Sequence, residues 1–212
     1  MKLDATIIAS TNPGKIGEYL RLLGGEDRWG QVTSLLDEGE EGPQETGATY
    51  LANATLKARY ACERLDRPAI GDDSGLAIAT LGGEPGLRTA RFTRAHGGPT
   101  QAMRVLAERA GLCRPSSVTT GNDGRQPLPT VDATAHCVIA LALPDGRIFT
   151  GSSALSGTVR WPPSPRGGPG LFPLFHAPNG WESEAAVLLH RAQAFASLLD
   201  ALEKTTNAPR ST

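Results

Sequence analysis

The chain has 212 residues, 39% apolar and 20% charged, with a formal net charge of −1. That length suits one domain, or one domain with a small second lobe, and the apolar content excludes an intrinsically disordered chain. A near-neutral total gives no general pull toward nucleic acid or a membrane surface, and no apolar run nears the ~18 residues of a membrane span.

Met1–Ser10 holds only a short apolar run that leads into a polar turn, so it does not read as a signal peptide. Cys62, Cys113 and Cys137 are odd in number and far apart, which fits reduced thiols in a cytoplasmic protein better than a disulfide framework. All but four of the 21 basic residues are Arg, a habit of composition rather than a sign of chemistry.

In chain order, Ala5–Ala9 reads as a strand that opens through the polar turn Ser10–Lys15 into a helix. Ile16, Tyr19, Leu20 and Leu23 form one apolar face of that helix, and Gly24 and Gly25 close it. Val32–Leu36 reads as a second strand, followed by an acidic loop with Asp37, Glu38, Glu40 and Glu41. A second helix spans about Thr49 to Leu65, with Leu51, Ala54, Ala58, Ala61, Cys62 and Leu65 inward and Asn53, Lys57 and Arg64 facing elsewhere. Ala69–Gly71 then leads into Asp72-Asp73-Ser74-Gly75, read as an Asp turn, before a strand at Leu76–Thr80. Pro99–Ala110 is a third helix closed by Gly111, and Arg114–Thr130 is rich enough in Pro, Ser, Gly and Thr to form a mobile loop. Ala133–Leu143 and Arg147–Gly151 flank the hairpin signal Pro144-Asp145-Gly146. Trp161–Pro173, dense in Pro and Gly, reads as a loop with unusual backbone angles. The last helix covers about Glu182–Leu202, with Ala185, Leu188, Ala192, Phe195, Leu199 and Leu202 along one stripe. This mixture predicts an α/β fold with a mixed, curved sheet.

Several residues suit chemistry. The turn Ser10-Thr11-Asn12-Pro13-Gly14-Lys15 offers free backbone N–H groups, a positive helix end and one Lys, which together make a phosphate cradle without the Walker A spacing. Asp72 and Asp73 repel each other, and a cation such as Mg²⁺ with substrate phosphates is the usual offset. Glu45 joins them only if the chain brings it beside Asp73; by itself it is an ordinary acid near a helix start. Lys57, taken alone, reads as a solvated residue on the polar face of its helix. His190 and Arg191 lie off the centre of the buried stripe, where they either reach a pocket or make surface hydrogen bonds. No His/Cys zinc cluster, Ser-His-Asp signature or dinucleotide glycine motif is present.

Each motif is weak alone, but their order is specific. Ser10 to Lys15, Glu45-Thr46-Gly47, Asn53-Ala54-x-x-Lys57-Ala58, Asp72-Asp73-Ser74-Gly75-Leu76 and Leu81-Gly82-Gly83-Glu84-Pro85-Gly86 with Ala90-Arg91-Phe92 follow one another. His136-Cys137-Val138 and His190-Arg191 extend the series. This series resembles the inosine triphosphate pyrophosphatase family over nearly the whole chain. The resemblance implies a single domain of two lobes over residues 1–212, elongated, with a long central mixed sheet and the nucleotide in the cleft between the lobes. It also implies a homodimer and Mg²⁺-dependent cleavage of a nucleoside triphosphate to the monophosphate and pyrophosphate. By position, Ser10, Thr11, Asn12, Pro13, Gly14 and Lys15 would hold the triphosphate, Glu45 and Asp73 would bind metal, and Asp73 would also be the base for the attacking water. Asp72 would support them, Lys57, Ser74 and Gly75 would lie against substrate, and His190 and Arg191 would meet the base.

The series departs from the family in two places. A Gly-Gly-Phe-Gly-Tyr-Asp-Pro stretch is replaced by Gly167-Gly168-Pro169-Gly170-Leu171-Phe172-Pro173. In the last helix the family's Lys is Ala185 and its Ser is Leu189. Both changes strip polar groups from the pocket that reads the base, leaving Phe172 as a ring to stack on. The expectation is therefore conserved hydrolysis with altered base specificity. The alternatives are a biosynthetic pyrophosphatase acting on a normal or modified nucleotide, and a nucleotide-binding homologue without turnover.

Overall fold

A computed structural model of the chain describes residues 2–24, 27–113, 128–165, 168–178 and 189–206. In chain order these form β1 (Ala5–Ile8), α1 (Pro13–Leu23), β2 (Gln31–Ser34), α2 (Tyr50–Leu65), β3 (Ala69–Ile78), α3 (Thr89–Ala95) and α4 (Pro99–Arg109). They continue with β4 (Thr130–Ala142), β5 (Ile148–Arg160), β6 (Phe175–His176) and α5 (Leu189–Thr206). The fold is α/β: six strands in the order β2-β1-β3-β4-β5-β6 make one mixed sheet flanked by helices. β1 runs parallel to β2 and β3, and β5 antiparallel to β6. Among the described residues no helix is long and apolar enough to cross a membrane.

The chain divides into two compact units. The first takes residues 1–74, 137–153 and 188–212. Its strands carry apolar residues on both faces, the pattern of a sheet covered on both sides. One cluster joins Ile8, Ile70, Cys137, Ile139 and Leu141 to Ile16, Tyr19 and Leu23 of α1 and to Ala194, Phe195 and Leu198 of α5. The other joins Ile7, Ala9, Ala69 and Ala140 to Ala54, Ala58, Ala61 and Cys62 of α2. Thus α1 and α5 cover one face and α2 the other. Two glycines let helices lie close: a Cβ on Gly71 would come within 2.5 Å of Ala54 O and Ala58 N, and one on Gly151 would collide with Ala194 O and Leu198 N.

From β1 the chain passes through α1 to β2 on one side. It returns through α2 to β3 on the other. The direction reverses between β1 and β3, the place where open α/β sheets bind ligands beyond the carboxyl ends of their strands.

The second unit takes residues 75–136 and 154–187. It holds α3 and α4, the remaining lengths of β3, β4 and β5, and a short turn at Phe172–Leu174. There Thr89 Oγ1 accepts from Leu76 N and donates to Gly86 O, tying the start of α3 to β3.

Several sequence expectations need correction. Asp72-Asp73-Ser74-Gly75 is not a turn: β3 runs unbroken through it, because each carboxylate finds cationic or amide partners on its own face. Beyond Ile78 the strand gives way to a 3₁₀ turn, Ala79–Leu81. Leu20 and Leu51 are exposed, whereas Glu18, Asn53 and Lys57 are buried. Helix α3 has no predicted counterpart; its sequence, Thr-Ala-Arg-Phe-Thr-Arg-Ala, shows no apolar period. The hairpin forms as expected, with Leu143 N donating to Arg147 O. Most of the expected mobile loop, and Ala185 with the start of the expected last helix, lie outside the described residues.

Candidate active site

The residues after β1 form a helix start. Asn12 is the N-cap of α1, and Pro13 occupies the first turn, where its missing N–H costs nothing. Asn12 Oδ1 accepts from Gly14 N at 2.9 Å and Lys15 N at 3.3 Å, and Asn12 N donates to Ser10 Oγ at 3.1 Å. The expected free N–H groups at Gly14 and Lys15 are therefore capped by the chain's own amide. Thr11, Asn12, Pro13 and Gly14 are all exposed.

β3 sorts the acidic pair by strand alternation. Asp72 points to the α1/α5 face. Lys15 Nζ lies 3.1 Å from both of its oxygens, Arg191 Nη2 3.2 Å from Oδ2, and Ser74 Oγ donates to Oδ2 at 2.9 Å. Arg191, 1% exposed, also pairs with Glu18, reaches Ser74 Oγ at 3.0 Å and lies over the Tyr19 ring at 5.6 Å. Burial alone would raise the Asp72 pKa, but Lys15, Arg191 and Lys57 hold it far below the usual carboxylate range. Burial raises Glu18, with Arg191 pulling against it.

Asp73 points to the α2 face. Asn53 Nδ2 donates to its Oδ2 at 2.9 Å, and Lys57 Nζ stands 3.6 Å from Oδ1. The same ammonium lies 2.7 Å from Glu45 Oε1. Glu45 and Asp73, separate in sequence, thus converge on one cation. Lys57 is 8% exposed and ion-paired, not the solvated residue expected from sequence. Burial works against its charge, yet Asp72, Asp73 and Glu45 outweigh that and raise its pKa. Asp73 moves the other way from Asp72: burial, joined by the charge of Glu45, raises its pKa despite Lys57 and Asn53.

His190 is 1% exposed, and burial followed by the charge of Arg191 lowers its pKa to about 3, so the ring is neutral. His190 and Arg191 are buried rather than at the surface, and the Arg191 Nη atoms are engaged by Glu18, Asp72 and Ser74. Ser153 Oγ donates to His190 O and fixes the first turn of α5 to β5. Gly75 follows Ser74 as a buried strand residue. Phe172 belongs to the second unit, where it is only 6% exposed in its short turn; that burial leaves little ring surface for stacking.

Glu18 is the site residue that sequence reasoning missed. Its signal is an acid one position before Tyr19 on the inner side of α1, readable only once a buried cation is known to face it.

The Glu45–Asp73 pair suits a hard divalent cation by donor chemistry: oxygen ligands from two carboxylates, with waters and phosphate oxygens completing the shell. Among the described residues no group of three or more His, Cys, Asp or Glu side chains is placed to hold a metal unaided. By the chemistry of those oxygens the pair fits Mg²⁺, with the remaining ligands to come from elsewhere.

The profile of the Ham1 family matches residues 6–201. A dITP/XTP pyrophosphatase from Rhodospirillum centenum is 36% identical, over 92% of this chain and 93% of its own. Another from Brucella melitensis is 32% identical, over 96% and 95%. The solved structure of a HAM1 protein from Coxiella burnetii superposes with a TM-score of 0.72 at 25% identity, covering 96% of this chain and all of that one.

Proposed function

Because the chain belongs to the Ham1 family, we propose that it hydrolyses a nucleoside triphosphate to the monophosphate and pyrophosphate at the Asp72–Asp73 cluster, with Mg²⁺ as cofactor. The enzyme class, nucleoside triphosphate pyrophosphatase, is that of its dITP/XTP pyrophosphatase relatives. The observation that carries the reading is the convergence of Glu45 and Asp73 on the Lys57 ammonium, with Asp72 anchoring Lys15 on the opposite face of the same strand.

A triphosphate carries about four negative charges, and water does not attack phosphorus until these are offset. Lys15, which keeps 23% side-chain exposure, supplies a fixed cation. The Gly14 and Lys15 N–H groups supply donors once a phosphate oxygen replaces the exposed Asn12 amide that caps them. Pro13 and Gly14 keep that turn free of bulk, and Ser10 and Thr11 border it. Glu45 and Asp73 would hold Mg²⁺, which when bound offsets phosphate charge and makes water more acidic. Lys57 opposes the burial that raises the Asp73 pKa. Asp73 accepts the proton of the attacking water; its raised pKa makes it the better base of the pair. Asp72 is too strongly held by Lys15 and Arg191 to take a proton, and serves as the anchor that orients both.

Base reading is altered. Leu171 and Phe172 are buried apolar residues where the family pattern has polar or aromatic ones. A pocket without unpaired polar groups discriminates by shape. The enzyme acts as a homodimer in the cytoplasm, a setting consistent with its free Cys62, Cys113 and Cys137.

The test is pyrophosphate release from ITP, XTP, dITP, ATP and GTP, with Mg²⁺ and with a chelator. The expected result is metal-dependent release with an ITP-over-ATP preference below roughly 100-fold. A larger preference would defeat the altered reading of the base, and binding without any release would leave only a nucleotide-binding protein.

A further inference from the structure

Asn53 takes no part in the hydrolysis as derived above, yet it is 2% exposed and lies one helical turn before Lys57 on α2. Its amide is used in two directions. Oδ1 accepts from Gly47 N at 2.7 Å, and Nδ2 donates to Asp73 Oδ2 at 2.9 Å. Gly47 stands two residues after Glu45, so one side chain ties the Glu45 segment to the Asp73 strand. The arrangement admits a single amide orientation: flipping it would set donor against donor at Gly47 and oxygen against carboxylate at Asp73.

The segment also lies flush on the helix. A Cβ at Gly47 would fall 2.5 Å from Asn53 Oδ1 and 2.8 Å from Ala52 Cβ. The start of the helix is pinned separately, by Thr49 Oγ1 accepting from Ala52 N at 3.1 Å. Lys57 makes a second tie, from Glu45 to Asp73, but an ammonium on a flexible four-carbon stem tolerates displacement that a short planar amide does not.

We propose that Asn53 is a positioning residue that sets the spacing of Glu45 and Asp73, and thereby whether the two carboxylates meet one divalent cation; this rests on the Mg²⁺-dependent reading above. It acts through Gly47 and Asp73 and does not contact the substrate. Losing such an outer partner of a metal ligand typically weakens metal affinity by about 10- to 100-fold.

The experiment compares the full chain with Asn53→Leu, which keeps volume and removes both bonds. Gly47→Ala strains the same tie from its other end, by setting a methyl against Asn53 Oδ1 and Ala52 Cβ. Leu65→Ala is a control that weakens α2 through packing alone. Two properties are read on folded protein below its melting temperature: amide hydrogen exchange of the segment around Gly47 without metal, and Mn²⁺ affinity. Expected for Asn53→Leu are exchange and Mn²⁺ dissociation constant both raised at least about tenfold, with both unchanged in Leu65→Ala. Unchanged exchange or Mn²⁺ affinity in Asn53→Leu overturns the proposal, as does an equal change in Leu65→Ala. If Asn53→Leu does not fold, Gly47→Ala decides by the same criteria. A wild-type protein that binds Mn²⁺ but releases no pyrophosphate would overturn the proposed function and leave the tether intact.

Discussion

On one face of β3, Asp72 lies between Lys15 and Arg191, with Ser74 beside it. On the other, Asp73 accepts from the Asn53 amide and from the Ser74 backbone N–H, and has a longer contact to an ammonium that it shares with Glu45. The two carboxylates are chain neighbours of similar burial, yet their pKa values are driven apart. The difference teaches that strand alternation alone assigns an adjacent acidic pair to two tasks: a saturated anchor and a carboxylate left able to trade partners and protons.

The largest expected effect sharpens that division. Asp73→Asn should lower kcat by about 10²–10⁴ while the fold remains, the scale for losing a positioned base. Because the Asp73 pKa is raised, its charge costs stability above its folded pKa, so the variant should melt no lower than wild type at pH 7. Near-full turnover, or a marked loss of stability, would break the assignment.

Asp72→Asn should do the reverse in stability. It removes the anion from two cations, one of them almost fully buried, and is expected to cost about 3–5 kcal/mol in denaturant unfolding. The Asp72 pKa is depressed, so its contribution is complete above its unfolded value near 4 and fades as pH falls toward the folded one. A variant whose stability follows wild type across pH 2–7 would show that the anchor holds nothing.

The effect of His190 vanishes near neutral pH and grows only in acid. With a folded pKa of about 3, below the unfolded value near 6.5, the ring charges only on unfolding as pH drops between the two. Wild-type stability should therefore fall with decreasing pH more steeply than that of His190→Gln, by up to about 1.4 kcal/mol per pH unit. Parallel curves would mean that the imidazole is protonated in the folded state.

Much of this was legible in the sequence, for local reasons. The polar turn Ser10–Lys15 and the apolar face after it announced the first helix, and Pro144-Asp145-Gly146 its hairpin. The ordered motifs named the residues that gather in the first unit. Three things were not legible. Whether Asp72-Asp73 turns or runs on as strand depends on cations supplied by α1, α2 and α5. The burial of Asn53 and Lys57 follows from partners outside their own helix, which a hydrophobic period cannot register. Glu18 reads as surface until Arg191 is placed against it.

Gly71 has an implication of its own. With no side chain there, and only methyl groups at Ala54 and Ala58, the backbone of α2 rests almost directly on β3. That separation works as a ruler: it fixes how far Asn53 and Lys57 must reach, and each reaches just far enough. One added methyl at position 71 would shift the helix and lengthen every contact on the Asp73 side at once. An inert, chemically silent position is thereby made as unforgiving as the acids it precedes.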